Sequence, residues 1–336
     1  MKKLNVAIVG ATGAVGQEIL KVMAERKIPF KELKLLSSQR SAGTVIHYRS
    51  KDYVVEETTA DSFNGIDLAL FAGGPASKEF GRLAQGKGTV IIDNSSTFRL
   101  EPDVPLVVPE VNPDDLKKHQ GIIANPNCST IIMVTALCPL YLQSRIKRII
   151  VSTYQAVSGA GKEGIDELTL QTKQLLAGKE IETKVFPYQI ASNIIPHIDI
   201  WMADDYTKEE MKMVYETQKI FNDPEIAVTA TTVRVPIYRS HSESIYIETE
   251  EAITPEKAKE LLNSSKGIIV QDDPSRNIYP MPLFTSYTDE VYVGRIRRDL
   301  YTPNGLNLWV VADQLRKGAA TNAVQIAEEL LKNNLI

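Results

Sequence analysis

Residues 4–16 read Leu-Asn-Val-Ala-Ile-Val-Gly-Ala-Thr-Gly-Ala-Val-Gly, and the order of features in that stretch decides the fold around it. Leu4 to Val9 is an apolar run of strand length. Gly10, Gly13 and Gly16 follow at once, and beyond them Ile19, Leu20, Val22 and Met23 recur with helical spacing. Strand, glycine turn and helix in immediate succession are the context in which such glycines signal a dinucleotide site. Gly10 permits the tight turn, Gly13 lets the backbone approach a pyrophosphate, and Gly16 lets the helix pack closely. Unpaired amides at the helix start then face phosphate oxygens. Taken without that context, the glycines are only a structural turn.

The strand expected at Leu33 to Leu36 bears on the choice of nucleotide. An NAD site usually carries Asp or Glu at its end for the ribose hydroxyls. Here Ser37-Ser38-Gln39-Arg40-Ser41-Ala42-Gly43 follows, with hydroxyls and an arginine in place of a carboxylate. A guanidinium suits a 2′-phosphate, so the reading favours NADP over NAD. The alternative leaves Arg40 as a surface loop residue. Further strands are expected at Ile66 to Phe71 and Thr89 to Ile92, followed by the Gly- and Ser-rich segments 72–77 and 93–99. Such segments fit the carboxyl-end rim of an open parallel sheet, where ligands bind. Position alone leaves Arg99 open between an anion clamp and a solvated side chain.

The 336 residues are enough for two domains. With 38 Lys and Arg against 42 Asp and Glu, the net charge of −4 argues against a broad nucleic-acid surface. Two cysteines cannot build a disulfide framework or a four-thiolate metal site. Histidines stand only at 47, 119, 197 and 241, without HExxH or other short metal-ligand spacing, so no metal is expected. The basic, apolar start runs into the glycine turn and then QEILKVMAERK, which does not fit a secretory signal. No apolar run approaches the ~20 residues of a membrane helix. A cytoplasmic protein without membrane or nucleic-acid partners is expected.

Asn125-Pro126-Asn127-Cys128-Ser129-Thr130 is the stretch that bears most on chemistry. Pro126 disfavours a helical Asn125, Asn127 is a competent N-cap, and a largely apolar helix follows. Cys128 therefore falls in a first helical turn, where the positive end of the helix should lower a thiol below its usual pKa of ~8.5. Position alone leaves it open between nucleophile and packing residue. Cys138, flanked by Leu137 and Pro139, reads as a buried hydrophobe.

Beyond Leu142 the pattern changes. Strands are expected at 146–153, 226–236, 243–250, 267–271 and 289–297, and helices at 162–177, 209–221 and 315–331. Few long helices separate the later strands, so a mixed or antiparallel sheet is expected there. Its apolar face can be covered by helices, with the matching sheet of a second copy contributing, and a homodimer through this domain is expected. Gln155 lies between a strand and a Gly-rich loop, where it can orient a carbonyl or simply hold its own loop. His241, after a strand and a turn, reads as either a proton carrier or a packing residue. Glu209, Glu210 and Lys212 read on position alone as a solvated first turn.

In combination these segments resemble the aspartate-semialdehyde dehydrogenase family over essentially the whole chain. The matching motifs are GATGAVG (10–16), SSQRSAG (37–43), NSSTFR (94–99), NPNCST (125–130), TYQAVSGAG (153–161), EEMK (209–212), RVPIYRSHS (234–242) and LWVVADQLRKGAATNAVQIAE (308–328). The resemblance implies an enzyme that reduces L-aspartyl-4-phosphate to L-aspartate 4-semialdehyde with NADPH, reversibly and with release of inorganic phosphate. The step leads toward lysine, threonine, methionine, isoleucine and diaminopimelate. The implied fold class is α/β, similar to glyceraldehyde-3-phosphate dehydrogenase. A Rossmann-type nucleotide domain over 1–127, completed by 307–336, joins an α+β catalytic and dimerisation domain over 128–306 with a mixed, largely antiparallel sheet. A homodimer is implied, with a tetramer as the alternative.

The resemblance also assigns roles. Cys128 matches the nucleophile, Gln155 the glutamine that orients the intermediate, and His241 the acid–base histidine. Arg234 matches the arginine for the substrate α-carboxylate, Arg99 and Lys212 the phosphate pair, and Glu209 the acidic partner of the substrate amine, with Glu210 beside it. Gly10, Thr12, Gly13, Ala14, Val15 and Gly16 match nucleotide contacts, as do Ser38, Arg40, Ser41, Ser158, Gly159 and Gln314. The near rival is N-acetyl-γ-glutamyl-phosphate reductase, with the same chemistry on a longer, acetylated substrate. The rival from another class is a non-catalytic nucleotide-binding scaffold.

Overall fold

The computed structural model describes residues 3–336, and the chain forms two units, one running to Asn127 and resuming at Ala319–Ile336, the other spanning Cys128–Gly318. In the first, β1 (Leu4–Val9) leads through the glycine loop into α1 (Ala14–Glu25) and β2 (Phe30–Ser37). A small hairpin, β3 (Val45–Tyr48) and β4 (Lys51–Val54), precedes the two-residue β5 (Glu56–Glu57). Then come β6 (Leu68–Phe71), α2 (Gly74–Gly86), β7 (Val90–Asp93) and β8 (Ile122–Ala124). The sheet order is β5-β2-β1-β6-β7-β8, parallel throughout. Its central strands are nearly continuous apolar runs, as expected where helices cover both faces.

The carboxyl-terminal helix, Asn322–Lys332, belongs to this unit, and Ala323, Ile326, Ala327 and Leu330 pack in one core with Leu4, Val6 and Ile8. Asn322 Nδ2 donates to Val107 O and Asn125 Oδ1 (3.0 and 2.7 Å), and Arg26 grips Glu328 through two hydrogen bonds (2.9 and 2.6 Å). The sequence pattern reads one helix from Leu315. Instead residues Arg316–Thr321 form a wider π-helical turn, and the regular α-helix starts only at Asn322.

The second unit begins with α3 (Cys128–Gln143), apolar around its whole circumference and buried from Ser129 to Cys138. After β9 (Ile146–Gln155) come α4 (Gly161–Leu176), α5 (Lys208–Phe221), β10 (Ala227–Arg234) and β11 (His241–Thr249). The remaining named elements are α6 (Pro255–Asn263), β12 (Ile268–Val270), β13 (Val291–Arg298) and β14 (Gly305–Ala312). The sheet order is β10-β9-β11-β14-β13-β12. The β9–β10 and β12–β13 pairs are parallel and the three between them antiparallel. Residues from Asn307, read as the return to the nucleotide domain, lie in this sheet. Leu306, Leu308 and Val310 alternate into its core, so the chain returns at Ala319.

One face of this sheet is covered. Ile149, Val151, Ile245 and Ile247 pack with Ile132, Met133 and Leu137 of α3, Met213 of α5 and Leu262 of α6. On the opposite face Ile150 is exposed and Tyr154, Tyr246 and Trp309 are half-buried, with the Tyr154 and Trp309 rings 5.5 Å apart. Arg145, just past α3, grips Asp223, just past α5, through two 2.8 Å hydrogen bonds, and Tyr141 donates to the same carboxylate. The Arg145 guanidinium holds Asp223 down at about 2. This clamp ties together the far ends of two helices whose near ends bear site residues.

Glu243 is the odd member of the covered face. It is fully buried between Thr153 of β9 and Val310 of β14, and neither carboxyl oxygen has a hydrogen-bond partner. Burial pushes its pKa well above the ordinary carboxyl value, so the folded protein retains a proton that the unfolded chain loses near 4.5. Stability from this group is full below that value and falls as pH rises toward the folded pKa, by about 1.4 kcal/mol per pH unit in between. Glu243→Gln keeps the shape and cannot ionise. Thermal melting from about pH 5 to 8 should show the variant gaining on the parent as pH rises; a constant difference would refute the neutral carboxyl.

Candidate active site

The glycine loop is built by backbone contacts. Gly10 holds φ +83°, and its amide and that of Ala11 donate to Leu36 O at the end of β2 (2.8 and 3.0 Å). A Cβ on Gly16 would lie 2.2 Å from Gly10 O, so Gly16 packs against the loop itself, closer than the helix–sheet contact expected of it. Gly13 precedes α1 without a side-chain cap, which leaves the helix-start amides of Ala14 and Val15 for a ligand. Thr12 Oγ1 lies 3.0 Å from Ser37 Oγ. Beside this loop is a cavity of about 420 Å³ lined by Gly10, Ser37, Ser38, Gln39, Gly73 and Pro75, among others. Glycine backbone, hydroxyls and a helix start fit a dinucleotide.

Arg40 stands exposed in the turn Gln39–Ser41, and neither it nor Ser41 lines that cavity. The wall does contain carboxylates: Glu57 of β5, in register with Ser37, and Glu79 of α2. A search for an acidic residue directly after β2 misses Glu57, because a separate strand delivers it. Arg99, also in this unit, is buried, with Nε donating to Asn125 O (3.0 Å) and Nη2 to Asn94 O (2.9 Å).

In the second unit five elements converge. Cys128 is the first residue of α3, and its Sγ lies 3.5 Å from His241 Nε2 at the start of β11. The other ring nitrogen, Nδ1, accepts from the Ala156 amide (3.0 Å). Gln155 and Arg234 pair in register at the ends of β9 and β10. Gln155 Nε2 donates to Ser129 Oγ (2.8 Å) and Glu209 Oε1 (3.1 Å), while its buried Oε1 has no partner. Arg234 Nη1 donates to Ala156 O (2.8 Å). Lys212 Nζ bridges Glu209 Oε2 (2.9 Å) and Asp199 Oδ2 (2.7 Å).

The electrostatics follow from burial and neighbours. Burial, aided by the Arg234 guanidinium and opposed by Glu209, brings His241 down to about 3, so the imidazole is neutral at pH 7. Burial also lowers Arg234, with Glu209 and Cys128 acting against it. Burial alone would lower Lys212, but Glu209 and Asp199 outweigh it and hold the amine above its ordinary value. Thr207 caps α5 in a capping box with Glu210, whose other oxygen accepts from the Thr232 amide (3.0 Å). Glu210 is thereby committed to structure, and Glu209 is the carboxylate that meets Gln155.

Two family models match the chain, "Semialdehyde dehydrogenase, NAD binding domain" over residues 5–119 and "Semialdehyde dehydrogenase, dimerisation domain" over residues 137–317. The aspartate-semialdehyde dehydrogenase of Aquifex aeolicus is 57% identical over 99% of both chains. This chain belongs to the aspartate-semialdehyde dehydrogenase family. Among solved structures, aspartate semialdehyde dehydrogenase II of Vibrio cholerae complexed with ASA superposes with a TM-score of 0.96 at 48% identity, covering 99% of each chain. The Candida albicans aspartate semialdehyde dehydrogenase with NADP gives 0.78 at 26% identity over the full length of both.

Of the positions expected to contact the nucleotide, three lie in the second unit. Gln314 Nε2 donates to Ser158 Oγ (2.5 Å), its Oε1 accepts from the Ser240 amide (2.9 Å), and Ser158 Oγ also donates to Tyr238 O. Gly159 is also a wall of the cysteine cluster, since a Cβ there would lie 2.9 Å from Arg234 Nη1 and 3.6 Å from His241 Nε2. Sequence reasoning missed Gly318, where a Cβ would lie 2.9 Å from Cys128 Cβ. It also missed the Ala156 amide, which no side-chain pattern can flag. Iodoacetamide should alkylate half-buried Cys128 and spare buried Cys138 in the native protein, and Gly318→Ala should slow that reaction by displacing the sulfur. Peptide mass mapping reads both, and preferential labelling of Cys138 would contradict the assignment.

Proposed function

We propose that this protein catalyses the reversible, NADPH-dependent reductive dephosphorylation of L-aspartyl-4-phosphate to L-aspartate 4-semialdehyde through a thioester on Cys128. The observation that carries the reading is the convergence of Cys128, His241, Gln155 and Arg234 at one end of a single sheet. A sulfur at a helix start, faced by an imidazole, is a competent nucleophile toward an acyl phosphate. Gln155 orients the carbonyl beside it. Arg234 offers its planar fork to the substrate α-carboxylate. Glu209 receives the substrate amine, which favours the free amino acid over the acetylated substrate of the rival reductase. Arg99 and Lys212 take the phosphate and its developing charge.

The first unit is the nucleotide-binding domain, with Gly10, Thr12, Gly13, Ala14, Val15 and Gly16 around the diphosphate. Ser38, Arg40 and Ser41 serve the adenosine side, and Ser158, Gly159 and Gln314 are nucleotide contacts by their match to the family motifs. NADPH, when bound, supplies the hydride that reduces the thioester. The second unit is the catalytic and dimerisation domain. Its exposed Ile150 and half-buried Tyr154, Tyr246 and Trp309 supply an apolar face for a second copy, in a homodimer or a tetramer built from it. Among the described residues no helix is long and apolar enough to cross a membrane, and no three His, Cys, Asp or Glu side chains cluster to hold a metal. We place the enzyme in the cytoplasm, on the route to lysine, threonine, methionine, isoleucine and diaminopimelate.

The deciding assay is phosphate-dependent oxidation of aspartate semialdehyde with NADP. Preference for N-acetyl-glutamyl phosphate in the reverse comparison transfers the protein to the rival reductase, and nucleotide binding without turnover of either leaves the scaffold reading. Cys128→Ala should abolish turnover while NADPH still binds, whereas Cys138→Ala should stay active. Arg40→Ala should weaken NADPH far more than NADH, by about tenfold or more for the loss of one charged contact. Equal losses for the two would remove Arg40 from the 2′-phosphate.

A further inference from the structure

Burial sets a charge count at the start of α5. Glu209 is buried, Lys212 exposes only 17% of its side chain, and the two meet at 2.9 Å. The function proposed above asks Glu209 to receive the substrate ammonium as well. Two ammonium groups would then share one carboxylate in a place where an unpaired charge is strongly disfavoured. Gln155 adds nothing to the count, since the amide it offers to Glu209 Oε1 is neutral. A second carboxylate is present. Asp199 Oδ2 lies 2.7 Å from Lys212 Nζ, closer than Glu209 does. Burial alone would lower the Lys212 amine, and the two carboxylates together hold it above its ordinary value.

The segment that carries Asp199 is fixed on both sides to site elements. Upstream, Ile195 and Arg234 exchange backbone hydrogen bonds (2.9 and 2.8 Å) at the edge of β10. Downstream, the Lys208 amide donates to Ile200 O (2.8 Å), and Trp201 bridges Thr207, the cap of α5. Between these ties Asp199 takes φ +71°, a left-handed conformation that Asp tolerates better than most residues. Its Oδ1 accepts from the Ile200 amide (2.9 Å), while Oδ2 meets Lys212. Backbone contacts thus hold this carboxylate in place without help from Glu209.

We propose that Asp199 is a specificity-determining residue for the free amino group, retaining Lys212 when Glu209 turns to the substrate ammonium. The proposal rests on the assignment of Glu209 to the amine and of Lys212 to the phosphate. With Asp199 in place, two carboxylates face two ammonium groups and the count closes. A lysine ammonium has three donors, so Lys212 can keep Asp199, release Glu209 and turn another donor to phosphate. Glu209 keeps Oε1 on Gln155 and gives Oε2 to the incoming amine. A substrate whose amine is acylated or missing brings no charge to this corner and gains nothing from Asp199. Selection for the free amine therefore runs through a residue that acts by way of Lys212.

The test uses the full-length protein with NADP and phosphate, and compares two aldehydes. Aspartate semialdehyde carries the amine; succinic semialdehyde has the same chain and aldehyde without it. Asp199→Asn keeps the size of the side chain and removes its charge. We expect its KM for aspartate semialdehyde to rise about tenfold, the loss of one charge pair around the bound amine, with kcat changed less. The constant for succinic semialdehyde, read as KM or as a competitive Ki, should stay at the parent value. The preference for the aminated aldehyde falls accordingly, and its recovery in Asp199→Glu would show that charge, not the shape of the turn, is responsible. Equal losses for the two aldehydes, or a defect in kcat alone, would overturn the proposal. If the reaction itself is misassigned, the parent protein fails to oxidise aspartate semialdehyde and the inference falls with it. If only Asp199 is misassigned, the parent turns over and the Asn variant keeps its preference, so the two failures are separable.

Discussion

The site depends on the register of three strands. Gln155 closes β9, Arg234 closes β10 in parallel register with it, and His241 opens β11, which runs back antiparallel from Ser242 opposite Tyr154. That pairing brings side chains 79 and 86 positions apart in the sequence to one edge of the sheet without any dedicated scaffold. The backbone just past β9 then serves both neighbours, since the Ala156 amide holds His241 and the Ala156 carbonyl holds Arg234. A single peptide segment thereby fixes the imidazole and the guanidinium relative to each other.

Helices bring the remaining groups to that edge. Cys128 opens α3 and Glu209 lies in the first turn of α5, so the chemistry meets the amide-rich ends of both helices. The opposite ends are joined by Arg145 and Asp223, an ion pair whose guanidinium hydrogen bonds, against the effect of burial, hold Asp223 below its ordinary carboxyl value. Charges at the site are arranged in series. Asp199 and Glu209 share Lys212, Glu209 also meets Gln155, and Gln155 reaches Ser129 next to the cysteine. Buried polar groups tied together in this way are costly to disturb, because removing one strands its neighbours away from water.

Much of this was legible in the sequence, for physical reasons that can be named. The glycine loop was legible because Gly10 and Gly16 are demanded by a left-handed φ and a 2.2 Å contact, and those demands leave a fixed spacing. The start of α3 was legible because Pro126 and an apolar run bracket it. The strands 227–234 and 241–249 announce themselves by composition and alternation. The hairpin 45–54, the two-residue β5 and the short β8 were not legible, since segments so brief carry too little periodicity. β14 was missed because its pattern runs on into the helical segment that follows it. At the site, residue types suggested Cys128 and His241, and the family motifs suggested the rest. Contacts made by backbone or by an absent side chain stayed hidden, as at Ala156 and Gly318. The distinction between Glu209 and Glu210 needed the capping box, because the two look alike until one is seen holding the helix.

Along β9, Tyr154 faces away from the covered layer and Gln155 faces into the site. Side chains alternate with every residue, so a slip of one position would exchange an aromatic ring for an amide on both surfaces at once. Neither surface can therefore drift by insertion or deletion within the strand while the other is kept. Lineages of this chain can vary the two surfaces only by substitution in place, and any swap at Tyr154 is made one peptide bond away from the amide that meets Ser129 and Glu209.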